Sequence, residues 1–417
     1  MSGGARLQAT DPLYATAPLR ATWRALAGRW QHVPLLLPVL VAVGMDLAVV
    51  LPNDTPIYHR YANEALGSPL LHSLPKEYPA LAVAIYVLPL LLPVKYVVGF
   101  AVVAVVATVA LVLSSDGLLA HPGWSRRTTV YLLVGAGAVV FDRYDIFPAL
   151  ATFLAVDAAR RDKWGWAWGW AVVGGMLKLF PFLLLPGFLL AEHARSGRWA
   201  FRRAAVACTP VALIVGAQSI LSPGSVLSPF RYEFTRGFDL ESVAGSLTLL
   251  ADPFHVKWIF AYGSREITGS YHDLISALAL VAMVGAIAVI WRFGAQGRLS
   301  VEATSLAVLS VAVLGDKAFS PQYLIWLAPL WAYWPLRRSW LAAAALTTLV
   351  FPVLYLEAGL LGPGFYFATG GAALRNVVLI VGTLCWAREQ LRAREAKAAP
   401  LSIAAVAAAL PEYAAVT

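Results

Sequence analysis

Charge is scarce in this chain: Asp, Glu, Lys and Arg make up 13% of its 417 residues, against roughly 25% in soluble domains. Hydrophobic residues make up 59% and the mean hydropathy is +0.69. A soluble globular class is thereby excluded and a polytopic membrane protein is expected. Cysteine is scarcer still. Cys208 and Cys385 are the two in the sequence, both in apolar runs where they pack as small hydrophobes, so neither a disulfide framework nor a thiolate metal site is available. The apolar runs, of about 20 residues, lack the alternation of barrel strands, which leaves helices, because in hydrocarbon every backbone amide must be paired within the chain. The fold class expected is all-α, a polytopic bundle of about twelve transmembrane helices. Acidic residues are fewer than basic ones, for a net charge of +9. The Lys and Arg fall in short clusters between apolar runs, as cytoplasmic loops do, and imply membrane lipids and no nucleic acid as partners. An Asp-x-Asp pair, a P-loop and a repeat of fixed length are all lacking, so diphosphate-holding machinery is not indicated and an inverted-repeat transporter gains little support.

The basic clusters set the expected topology. Residues 1–32 read as a cytoplasmic segment, 33–390 as one multi-pass membrane domain and 391–417 as a cytoplasmic tail, disordered by its Ala-rich, aperiodic composition. The first apolar run, 33–51, continues into Pro52-Asn53-Asp54 without a small-residue cleavage pattern and reads as an uncleaved span. Asp46 lies inside it, where a carboxylate either has a function or snorkels to the surface. Residues 79–113, broken by Pro89, Pro93 and Lys95, read as a half-inserted helix plus one full span. The run 164–191 has basic residues at both ends and must go in and return within a short length, with its apex at Gly174-Gly175-Met176-Leu177-Lys178. Such a break is tolerated where backbone lines a cavity, and a lysine there points into it or snorkels to headgroups. Residues 222–273 form the longest weakly apolar stretch and read as an external loop with a function.

Candidate site residues begin in the polar, proline-broken stretch 52–80. Asp54 follows the first span by three residues, where a carboxylate stays hydrated yet reaches a lipid headgroup. Tyr58 shares its helical face, and Glu77-Tyr78-Pro79 closes the loop. The hairpin tip Asp142-Arg143-Tyr144-Asp145 falls on the same external side, as do Lys178, Arg231, Arg236, Glu241, Asp316, Lys317 and Gln322. A surface carboxylate with several cations suits attack by a hydroxyl on a carbon bearing a phosphate leaving group. The carboxylate takes the acceptor proton while Arg or Lys stabilises the departing phosphate. The missing diphosphate machinery favours a monophosphate donor presented by the membrane. The competing class is a multi-pass transporter of a lipid-linked or small anionic solute, in which the same residues form a binding site.

These pieces, in order, are Asp54-x-x-x-Tyr58, Glu77-Tyr78-Pro79, Gly175 to Pro181, Arg236-Gly237-Phe238-Asp239-Leu240-Glu241-Ser242 and Phe319-Ser320-Pro321-Gln322-Tyr323. Together they resemble the GT-C superfamily of membrane glycosyltransferases, and within it the bacterial cell-envelope branch of polyprenol-phosphate-mannose-dependent α-mannosyltransferases and related arabinofuranosyltransferases. The resemblance implies an inverting enzyme of the inner (plasma) membrane with its active site on the periplasmic face. It further implies a polyprenyl-phosphate sugar donor, mannose before arabinofuranose, a glycolipid or polysaccharide acceptor, and no cofactor or catalytic metal. Asp54 becomes the general base, and Tyr58, Glu77, Tyr78, Asp142, Arg143, Asp145, Lys178, Arg236, Glu241, Lys317 and Gln322 bind substrate. Where mannosyltransferases of this branch often carry a histidine motif in the late external loop, this chain has Ser320-Pro321-Gln322-Tyr323.

Overall fold

The computed structural model describes residues 39–41, 44, 53–69, 74–117, 123–251, 255–355 and 363–398. Of the first span only 39–41 and 44 are described, as helix; Asp46, residues 1–32 and residues 399–417 lie outside the described residues.

Helix α1 (Thr55–Leu66) precedes a short α2 (Ala82–Val87) that runs into a 3-10 turn over Leu88–Leu91. Pro89 and Pro93 stop that helix short of a full span, as proline without an N–H must. The chain then restarts as α3 (Tyr96–Gly117). The bundle continues with α4 (Trp124–Ala136), α5 (Ile146–Arg160), α6 (Trp164–Leu177) and α7 (Leu184–Ser196). Helices α6 and α7, of 14 and 13 residues, are each about 20 Å long and too short to cross a hydrocarbon core of about 30 Å. Their break falls at Lys178, whose extended backbone (φ −150°, ψ 140°) ends α6. Glycine is required at 175, because a Cβ there would lie 2.4 Å from the ring of Phe182, which the return turn folds back against α6.

Helix α8 (Phe201–Leu221) leads to the long polar stretch, which is not a bare loop. It holds α9 (Ser228–Thr235), β1 (Phe238–Asp239), α10 (Val243–Ala251), β2 (Lys257–Ala261) and β3 (Ser264–Thr268). The strands form an antiparallel sheet in the order β1-β3-β2, with Phe238 opposite Ile267 and Ala261 opposite Ser264. The chain is mostly helical, as expected, and the small sheet is an addition to the all-α reading: β-branched and aromatic residues at 256–260, closed by Tyr262-Gly263, pair as a hairpin that the long-loop reading missed. Helices α11 (His272–Ala295), α12 (Val301–Gly315), α13 (Tyr323–Trp331), α14 (Arg338–Tyr355) and α15 (Pro363–Ala398) complete the chain. Helix α15 thus continues past residue 390 to Ala398.

Among the described residues four stretches are long and apolar enough to cross a membrane: Tyr96–Ser114, Phe201–Leu221, His272–Ala295 and Phe365–Ala396. Shorter apolar helices cover Ala82–Leu91, Val301–Gly315 and Arg338–Phe351. Length and composition alone do not reach the count of about twelve. The main core lies where α4, α5, α6, α12, α13 and α14 pack, with Tyr131, Trp331 and Trp340 fully buried in it. A second, smaller core joins Phe238, Leu240 and Ile267 of the sheet segment to Val350 of α14 and to Ala368 and Ala372 of α15. That small core fixes the sheet segment over one end of the bundle.

Candidate active site

A cavity of about 200 Å³ opens between that end of the bundle and the sheet segment. Its bundle side is walled by Asp54, Tyr58, Glu77, Tyr78, Arg143, Lys178, Gln322 and Tyr323, and its sheet side by Tyr232, Glu233, Arg236, Tyr262 and Ser264. Eight of the twelve site residues expected from sequence therefore meet in one place, although they are spread over 269 positions of the chain, from Asp54 to Gln322.

Asp54 is the N-cap residue of α1, a position where an aspartate usually accepts a backbone N–H of the first turn. Here its side chain caps nothing. Asn53 Oδ1 takes that task for Thr55, accepting its N–H at 3.3 Å and its hydroxyl at 2.7 Å. The Asp54 carboxylate turns to the cavity instead, paired through Oδ2 with Arg143 and accepting the Tyr58 hydroxyl at 3.4 Å. Tyr58 stacks on Tyr86 at 4.7 Å between ring centres and lies among Tyr78, Phe100 and Tyr144, so the aromatic cluster fixes the floor on which Asp54 rests. Glu77 accepts the Tyr61 hydroxyl.

Lys178, at the break of the α6–α7 hairpin, donates to Asp145 Oδ1 at 2.7 Å and sits over the rings of Trp326, Tyr323 and Tyr78 at 4.9 to 5.7 Å. Trp326 Nε1 also donates to Asp145 Oδ1, at 2.6 Å. Of the two readings open for Lys178, the one pointing into a cavity matches the geometry. Arg236 is buried against Glu266 at 3.1 Å and the Ser264 hydroxyl at 3.0 Å, with Glu233 at 3.8 Å.

Four expected residues do not line the cavity. Asp145 is fully buried behind Lys178. Lys317 donates to the backbone oxygens of Phe234 and Arg236 at 3.0 and 3.2 Å, and so ties the sheet segment to the turn after α12. Asp142 is buried with both carboxyl oxygens lacking hydrogen-bond partners. Burial pushes it up to about 7, with Asp54 and Asp145 adding to the rise and Arg143 opposing it. Glu241 is buried too, and burial with Asp239 beside it pushes it up to about 8 against the pull of Arg375.

Arg375 and Asn376 were not anticipated. Both are buried in α15; Arg375 donates to the carbonyls of Glu241 and Phe319 and stacks over the Phe319 ring at 3.7 Å, while Asn376 donates to the Glu241 carbonyl at 3.1 Å. They clasp the two chain segments that carry Arg236 and Gln322 into the cavity. An arginine in the midst of an apolar run is the signal that could have found them. Tyr232, Tyr262 and Ser264 were also missed, because their place at the cavity depends on the hairpin. Among the described residues no three His, Cys, Asp or Glu side chains are grouped so as to hold a metal ion.

No family model and no curated protein matches the chain. Among solved structures it is similar to the apo form of the Archaeoglobus fulgidus oligosaccharyltransferase, at 11% identity and a TM-score of 0.37, over 87% of this chain and 56% of that one. This chain therefore spans little more than half the length of that protein. A score this low does not establish a common fold.

Proposed function

We propose that the chain is a multi-pass membrane glycosyltransferase of about twelve spans, moving a sugar, mannose or next to it arabinofuranose, from a polyprenyl-phosphate donor to a cell-envelope glycolipid or polysaccharide. The reading places it in the inner membrane with the cavity on the periplasmic face. What carries it is the meeting, in one tyrosine-walled cavity at the end of the bundle, of the Asp54 carboxylate with the cations of Arg143, Lys178 and Arg236. The GT-C-like motifs supply Asp54, Tyr58, Glu77, Tyr78, Lys178, Gln322 and Tyr323 on the bundle side of the cavity and Arg236 on the sheet side, which agrees with this reading.

In the proposed reaction the acceptor oxygen bonds to the anomeric carbon as the bond from that carbon to the phosphate oxygen breaks, and polyprenyl phosphate leaves. The acceptor proton passes to Asp54. Arg143 and Lys178, each held by a carboxylate before substrate arrives, take the charge that grows on the departing phosphate. Drawing Arg143 toward that phosphate loosens its hold on Asp54 and frees the carboxylate oxygen to face the acceptor hydroxyl. The tyrosine rings offer flat apolar faces to a sugar and hydroxyls at their edges.

The test is incubation of purified protein with radiolabelled polyprenyl-phosphate sugars and a membrane-lipid extract. Wild type should form labelled product, and Asp54→Asn, nearly isosteric but unable to take the proton, should lose about two to four orders of magnitude in rate. A wild type that makes no glycoside with any donor yet moves a labelled solute across vesicles would assign the protein to the transporter class.

A further inference from the structure

On two of its elements the sheet segment is built inside out. Arg236, Asp239, Glu241, Ser242 and Glu266 are buried, as are the core residues Phe238, Leu240 and Ile267, while the large apolar residues along α9 and β2 face outward. Along α9, Leu227, Phe230 and Phe234 form one stripe at helical spacing, all exposed, with Phe234 at 67%. On β2, Trp258, Ile259 and Phe260 are exposed in succession, so neither face of that strand is covered by protein. Single exposed apolar residues are ordinary, but two neighbouring elements that both turn their apolar sides outward mark a contact surface.

From this we infer that α9 and the β2–β3 hairpin are seated in the headgroup layer of the bilayer, with lipid as the occupant of the exposed face. Continuity argues for lipid. The segment is entered from α8 and left into α11, whose apolar stretches each bury only 6% of their residues in protein, the pattern of lipid-facing spans. A short turn joins α8 to α9, and α11 starts four residues after β3, so the segment begins and ends at the bilayer surface. Depth follows from the sheet order. In β1-β3-β2, β2 is an edge strand with one row of unpaired backbone groups, and these require water or headgroups, which excludes the hydrocarbon core. The composition fits that level, with Trp258, Tyr262 and Tyr271 of the interfacial aromatic type and exposed Arg231 and Lys257 beside them. Tyr262, at the hairpin tip, lines the cavity and is also exposed, so the seat brings the cavity mouth to headgroup level. This rests on the burial pattern, whichever reaction the cavity carries.

The test uses the full chain with Cys208→Ala and Cys385→Ala, a single cysteine at Phe260→Cys or, separately, Phe234→Cys, and an environment-sensitive fluorophore at that cysteine in phosphatidylcholine–phosphatidylglycerol nanodiscs. Both substituted side chains are exposed, on two different elements, so neither substitution removes packing. Nitroxide lipids labelled near the headgroup should quench both sites several-fold more than lipids labelled at the acyl terminus, and iodide should quench several-fold less than it does the free dye. Full quenching by iodide with none by nitroxide lipid would overturn the seat in favour of open water. Deepest quenching by the acyl-terminal label would overturn its depth. Protection from all quenchers that rises with protein concentration would show a second copy of the chain as the occupant.

Discussion

Removing Lys178 and Asp145 singly and together separates what this pair does for the fold from what it does for a ligand. Asp145 is fully buried, and its Oδ1 accepts from Lys178 at 2.7 Å and from Trp326 at 2.6 Å. At that separation and an effective dielectric of about 20 the attraction is about 6 kcal/mol, before the cost of drawing both charges from water. Lys178→Met leaves a buried carboxylate unpaired and Asp145→Asn leaves a cation among three aromatic rings, so each should cost about 3–5 kcal/mol. The double variant removes both charges and should cost no more than either single change, which amounts to a coupling of about 3 kcal/mol or more. Thermal unfolding of the four proteins in one detergent gives the cycle. Costs that add within about 0.5 kcal/mol would show that the pair is not coupled and would refute the reasoning. The same double variant then isolates function: folded like wild type but lacking the Lys178 cation, it should bind a lipid-phosphate donor about ten- to a hundredfold more weakly, as loss of one charge-assisted contact predicts. Unchanged donor affinity in that variant would make Lys178 a strut only.

Arg375→Met should cost about 1–3 kcal/mol by taking a donor from the buried carbonyls of Glu241 and Phe319, and should raise hydrogen exchange in residues 317–323, where Arg375→Lys restores part of the protection; unchanged exchange would mean that the clasp does not hold that turn. Asp142 and Glu241, raised by burial to about 7 and about 8 from ordinary values of 3.8 and 4.5, stay protonated in the fold after the unfolded chain has lost their protons. Their contribution to stability is therefore full below about pH 4, falls as pH rises and is gone once pH passes through the folded values. Melting temperature should drop from pH 5 to pH 8 in wild type and drop less in Asp142→Asn, and an equal drop would refute the assignment. Tyr262 and Gly263 both have positive φ, 52° and 72°, in a two-residue hairpin turn that favours Asn-Gly. Tyr262→Asn should thus leave melting unchanged or raise it while weakening ligand binding at the cavity; a lower melting temperature would show that the tyrosine serves the turn itself.

Much of the bundle was legible because apolar run length and proline position act locally. The interruption over Pro89 to Lys95 and the break at Lys178 both follow from residues within a turn of the event. The hairpin at 257–268 was not legible on those terms. Its strands are five residues each, its outward face is apolar and its inward face charged, and a reading that takes polarity as a mark of exposed loop inverts such a segment. The same inversion hid Glu266 and the burial of Arg236, which only the sheet makes tolerable by pairing one with the other.

At the site, sequence could propose Asp54, Lys178 and Arg236 by residue type but could not say which charge each would face. Pairing is a long-range property: Arg143 reaches Asp54 across 89 positions and Arg375 reaches the Glu241 carbonyl across 134. That matters for the chemistry, because Arg143 both holds the Asp54 carboxylate and lines the cavity in which the donor would lie. An anionic donor competes with Asp54 for the guanidinium, so binding of the phosphate and release of the carboxylate toward an acceptor become one event. Arg143→Met should therefore weaken donor binding and lower the transfer rate together, whereas Arg143→Lys, which keeps the charge, should recover part of both. Donor affinity equal to wild type in Arg143→Met would mean that Arg143 only positions Asp54 and does not touch phosphate.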